Sequence, residues 1–167
     1  MKEAFLTLGR GVGQVMFQNN ALSGVLMLAG ILLNSWQMAL LAIAGNVVST
    51  LTACLSGFNG TLVGMAIGVF MPVSVASFSL LVAGACLSAW IARLFSLQRR
   101  VPGFTAPFIL SVWILLAACR GMMPSLLLPS GNAVTAQSLS FLQAFCLNIG
   151  QVMFQGNTVL AGVLFLL

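Results

Sequence analysis

The chain has 167 residues, 60% of them hydrophobic and 4% charged, whereas a water-soluble domain carries about 25% charged residues. Six Lys and Arg stand against one acid, Glu3, for a formal charge of +5; scattered at Lys2, Arg10, Arg93, Arg99, Arg100 and Arg120, they build no basic face, which excludes a nucleic-acid surface. There is no histidine, the four cysteines (Cys54, Cys86, Cys119, Cys146) stand singly in apolar runs, and no nucleophile has a base to activate it, so metal sites, disulfides and catalysis are not expected.

Such a composition reads as an all-α integral membrane protein, because a helix that crosses the hydrocarbon layer needs about 20 apolar residues. Residues 2–10 form a short amphipathic lead without the order of a cleavable signal. Five apolar runs are expected to be helical. The first is 12–33 and the second 37–55. The third, 58–70, stops before Pro72; the fourth, 73–92, runs into a loop carrying Arg93, Arg99 and Arg100; the fifth, 105–118, follows Pro102 and is interrupted by Pro107. The third and fifth are short. Short or Gly/Pro-broken segments point to broken half-helices, whose open backbone ends are tolerated at membrane depth only against a polar cavity or buried protein. Gly57, Gly60, Gly64 and Gly68 recur at helical spacing and also suit close approach of two helices.

The chain contains a duplication, a feature that takes precedence in assigning a fold. Gly13-Gln14-Val15-Met16-Phe17-Gln18 recurs unchanged as Gly150-Gln151-Val152-Met153-Phe154-Gln155, Asn20 is matched by Asn157, and Gly24-Val25-Leu26 faces Gly162-Val163-Leu164 after a one-residue shift. The offset is 137 residues, from Gln14 to Gln151. If residues 1–137 hold five passes, an odd number, a second unit starting at 138 begins on the opposite side of the membrane and the repeat is inverted. Arg10 and the Arg93, Arg99 and Arg100 group then share the cytoplasmic side, residues 122–137 lie outside, and Arg120 fits least well. The expected architecture is a polytopic helical bundle with an inverted repeat and broken half-helices. Its second unit, 138–167, is mostly missing, as in the front part of a longer protein or a truncated product.

What remains for function is a set of neutral polar and aromatic residues in apolar surroundings. Burying an amide in hydrocarbon without a partner is costly. Gln14 and Gln151 are therefore each expected to meet a neighbouring helix, a backbone group at a broken helix end, or a solute in a pore. A neutral lining suits a neutral solute, since ion pathways use charged rings or ordered carbonyls.

Four blocks carry a resemblance. Arg10-Gly11-Val12-Gly13-Gln14-Val15-Met16-Phe17-Gln18-Asn19-Asn20 with Leu22-Ser23-Gly24, then Val47-Val48-Ser49-Thr50-Leu51-Thr52-Ala53, Gly57-Phe58-Asn59-Gly60-Thr61-Leu62-Val63-Gly64, and Phe104-Thr105-Ala106-Pro107-Phe108 resemble, in that order, the urea transporter family. The resemblance implies a homotrimer in a bacterial inner (plasma) membrane, each subunit passing urea down its gradient through its own pore between inverted halves. By motif position it places pore-facing glutamines at Gln14 and Gln151, aromatic slot residues at Phe17, Phe58 and Phe154, an apolar wall at Leu62 and a central threonine at Thr105. It implies no cofactor and no enzyme activity.

The chemistry is coherent with such a lining. Urea is planar, neutral and strongly hydrated, so acceptor oxygens of Gln, Thr and helix-end carbonyls can take its N–H donors, while facing Phe rings admit a flat molecule and offer weak N–H to ring contacts. Two departures stand out: only Cys54-Leu55-Ser56-Gly57 separate Ala53 from Phe58, where the family has a longer connection, and second-half counterparts of Phe58, Leu62 and Thr105 are missing. Two other readings stay open. One is a non-transporting remnant or assembly subunit held by packing; the other is a channel for another small neutral solute, such as water, an amide or ammonia.

Overall fold

The computed structural model describes residues 2–53, 57–98, 100–129, 140–156 and 159–166. Cys54, Arg99, Asn157 and the 137/138 boundary between the expected units lie outside them, as does the later part of the expected outer segment, 130–137. The described residues form helices only: α1 (Lys2–Gly13), α2 (Ala21–Asn34), α3 (Trp36–Ala53), α4 (Phe58–Phe70), α5 (Val75–Gln98), α6 (Ala106–Met122), α7 (Phe141–Gln151) and α8 (Val159–Leu166), with short 3₁₀ turns at Gln14–Met16 and Pro124–Leu126.

The first expected run, 12–33, is two helices rather than one. Phe5–Met16 and Ala21–Asn34 meet at 74°, and the break falls on the duplicated block. Phe17 adopts a left-handed conformation, φ 60; its N–H donates to the Gln14 carbonyl at 3.0 Å and the Gln18 N–H to the Gly13 carbonyl at 3.0 Å. This pair of bonds is the Schellman termination, in which a left-handed residue lets the chain cover the last free carbonyls of a helix. Asn20 then restarts the helix, its Oδ1 accepting from the Leu22 N–H at 3.0 Å. The second copy repeats the turn: Phe154 has φ 58, its N–H donates to Gln151 O at 3.0 Å, and Gln155 N–H donates to Gly150 O at 2.9 Å. Ser140 begins α7 with a capping box, exchanging bonds of 3.3 and 3.1 Å with Gln143.

The fourth run also differs. α5 continues through Arg93 to Gln98, so Arg93 stands exposed on a helix and not in a loop. Lengthening α5 costs little in helix propensity, because Arg93, Leu94, Leu97 and Gln98 are good helix formers. α3 and α6 begin within a residue of the expected starts, and α4 keeps the expected bounds.

α4 is the hub. It packs against α1, α3, α5 and α6, and every residue from Asn59 to Ile67 is buried, as for a helix that is apolar all round. Leu62 and Met65 feed one core cluster with Val12, Val15, Met27, Ile31 and Phe165. Val63, Ala66 and Ile67 feed a second with Leu81, Val112 and Leu115. At 13 residues α4 is about 20 Å long, short of the hydrocarbon thickness of about 30 Å. It can sit so tightly only because its face toward α3 is glycine: a Cβ at Gly60 would collide with the Gly45 carbonyl on α3, and one at Gly64 with the Leu41 carbonyl.

Large apolar side chains also cover the outside, with Trp90 64%, Trp113 67% and Phe141 88% exposed. Among the described residues α5 is long and apolar enough to cross a membrane by itself, and the bent α1–α2 pair reaches that length together.

Gly60→Val places branched carbon against the α3 backbone and is expected to destabilise the fold by about 1–3 kcal/mol, the usual range for overpacking. Gly121→Ala, within α6 and with nothing within 4 Å of a new Cβ, is expected to keep stability or raise it by up to about 1 kcal/mol. Thermal midpoints of the two variants in detergent, read by size-exclusion monodispersity after heating, check both.

Candidate functional site

The broken end of α1 faces the starts of two other helices. α4 begins at Phe58 behind Gly57, and α6 begins behind Thr105, with Pro107 in its first turn. Proline suits a first turn, where its missing N–H is not needed. Between these ends lies a cavity of about 350 Å³ lined by Gln14, Val15, Phe17, Asn19, Phe58, Phe104 and Thr105. Four of the residues expected from sequence, Gln14, Phe17, Phe58 and Thr105, thus share one concavity.

Their environments differ. The Gln14 Nε2 donates to Asn19 Oδ1 at 3.5 Å, a long bond, while its carbonyl oxygen is buried with no partner among the described residues. An unsatisfied buried acceptor costs about 1–3 kcal/mol, so a rotation of the Gln14 amide that brings this oxygen to an N–H donor is favoured. Thr105 caps α6 without a side-chain cap bond, so its hydroxyl is not consumed by the helix. Phe17 is 77% exposed, and its ring meets the Phe104 ring edge-on, centroids 5.9 Å apart at 73°. No lining residue carries an ionisable side chain.

Leu62, one turn beyond Phe58 on α4, is 3% exposed within the first core cluster. Phe154 is half-buried, packs against both core clusters and meets Phe108 edge-on at 6.4 Å. Phe58, Leu62 and Phe154 therefore converge on the same apolar layer. Gln151 does not join the others: it is exposed, does not line the cavity, and lies over Gly156, where a Cβ would strike its oxygen. In the second copy the buried amide is Gln155 instead, fully enclosed, donating to Met38 Sδ at 2.8 Å and Met153 O at 3.0 Å and accepting from Asn34 Nδ2 at 2.5 Å.

Two buried asparagines that hold the site escaped the sequence reading as site residues. Asn59, 2% exposed, donates to the Phe104 carbonyl at 3.2 Å and accepts from the Phe108 N–H at 3.2 Å, fastening the start of α6 to α4. Asn46, 1% exposed, donates to the Leu8 carbonyl at 3.0 Å and accepts from Thr50 Oγ1 at 3.2 Å, fastening α3 to α1. The available signal was an amide inside an apolar helix, which must find partners; which partners depends on the fold.

The family described as Urea transporter matches residues 5–167. Urea transporter 1 of Rattus norvegicus is 32% identical over 175 residues, covering 86% of this chain and 44% of the relative. Urea transporter 1 of Mus musculus is 30% identical and that of Ovis aries 28%, over the same shares. The chain thus spans less than half the length of these relatives. With the match covering nearly every residue, the chain belongs to the urea transporter family.

Proposed function

We propose that this chain forms part of a passive membrane channel for urea, with Gln14, Phe17, Phe58, Leu62, Thr105, Gln151 and Phe154 along the path. The observation that carries this reading is the Gln14 carbonyl oxygen, buried without a donor among the described residues on a residue that lines a cavity walled by phenylalanines and a threonine. Urea brings four N–H donors and one carbonyl acceptor in a plane. A turn of the loosely held Gln14 amide offers its oxygen to those donors, and Thr105 serves as acceptor or donor. Phe17, Phe58 and Phe104 confine a flat solute, and Leu62 closes the path with an apolar wall. A dehydrated ion would meet no compensating charge there.

Gln151 and Phe154 are assigned to the matching stretch of an inverted second unit that starts at 138, after a first unit of 1–137. The shared hydrogen-bond pattern of the two Schellman turns supports this assignment. The apolar outer faces of α5 and α6 support embedding in a bilayer. Placement in a cell inner membrane, as a homotrimer, follows from the family resemblance.

In proteoliposomes holding the chain, stopped-flow light scattering is expected to show urea equilibrating faster than in empty vesicles; equal rates would defeat the reading. Gln14→Leu is expected to lower urea flux about tenfold, the equivalent of one lost hydrogen bond of about 1–1.5 kcal/mol. Unchanged flux in that variant would reduce Gln14 to a structural role.

A further inference from the structure

Next to the cavity at Gln14 lies another of about 400 Å³, formed against the end of α5 by Phe95, Ser96, Pro102 and Pro107. Phe58 and Phe104 line both. Phe58 belongs to the packed helix α4, whereas Phe104 stands in the connection before α6, 56% exposed and left-handed at φ 40. A bulky residue rarely adopts that region. Residues kept there by their surroundings cluster at ligand clamps, and Phe104 is kept by Asn59, whose buried amide binds its carbonyl and the Phe108 N–H, each at 3.2 Å. The pin sets the ring edge-on to Phe17 at 5.9 Å.

We propose that Phe104 is a specificity-determining residue of the solute site, its ring being the partition that keeps N-alkylated ureas out. The inference rests on the Gln14 cavity being the solute site. Unsubstituted urea presents N–H and carbonyl edges with no carbon beyond them and fits inside the partition. An N-methyl group extends beyond that edge into the space the Phe104 ring occupies, and without the ring it would enter the neighbouring cavity among Phe95, Pro102 and Pro107. One methyl group in an apolar pocket changes discrimination by about 10–200-fold.

Phe104→Gly removes the ring and accepts the left-handed backbone; Phe104→Asn, another residue that tolerates it, serves if the glycine variant does not purify as a monodisperse protein. In proteoliposomes, the ratio of N,N′-dimethylurea to urea permeability is expected to rise at least about tenfold in either variant and to stay at the wild-type value in Phe104→Tyr. Urea flux retained with an unchanged ratio overturns the proposal. Wild-type vesicles that pass neither solute would end the transport reading alone. The partition is then decided in detergent solution by saturation-transfer NMR of the dimethylurea methyl protons: a several-fold stronger signal in F104G than in wild type upholds it, and equal signals overturn it.

Discussion

A helix can stop inside an apolar protein only where the chain covers its own last carbonyls, and the Gly13–Gln18 block does this with a phenylalanine where glycine is usual. A left-handed aromatic costs about 1–2 kcal/mol relative to glycine, yet Phe17 and Phe154 both occupy that position, at φ 60 and φ 58. The turn they make is what breaks the first apolar run into α1 and α2 at 74°. It also brings Gln14 to the cavity and projects the Phe17 ring over its mouth. Without the break, residues 12–33 would be one span, and the amide of Gln14 would have only a neighbouring helix to meet.

Broken ends need fastening, and buried amides provide it. Asn46 joins α3 to α1, Asn59 joins α4 to the start of α6, and Gln155 joins the second turn to α2 and α3. Each uses a donor and an acceptor on two separate atoms, which an amide supplies and an aliphatic side chain does not. Around them the close approach of α3 and α4 across Gly45, Gly60 and Gly64 leaves no slack, so the fastened ends stay in register.

The two copies of the duplicated block show how little a local sequence says about its surroundings. Backbone hydrogen bonds, the left-handed phenylalanine and the glycine contact behind them all recur: Gly24 lies against the Gly9 carbonyl and Gly162 against the Cys146 carbonyl, Gly9 and Cys146 being 137 residues apart. The side chains do not follow. Gln14 borders a cavity and Gln18 is half-buried, whereas Gln151 is exposed and Gln155 is sealed in the core. Neighbours decide this, since α4 and the start of α6 stand beside the first turn, and α2 and α3 beside the second.

Composition and periodicity alone determined the helical class and the positions of α3, α4 and α6, because apolar runs between prolines and charges have few other stable forms. The repeat and the neutral amide within it marked Gln14, and the family resemblance marked Phe17, Phe58 and Thr105, the other residues expected from sequence that meet it at the cavity. Sequence could not locate the break within 12–33, since the residue at the left-handed position is not a glycine, nor the extension of α5 past Arg93, since a charge is compatible with an exposed helix end. Only the tertiary structure decided which buried amides are fasteners and which is left wanting a donor, because a hydrogen bond between residues 59 and 104, or 34 and 155, depends on distances in space that no local pattern encodes.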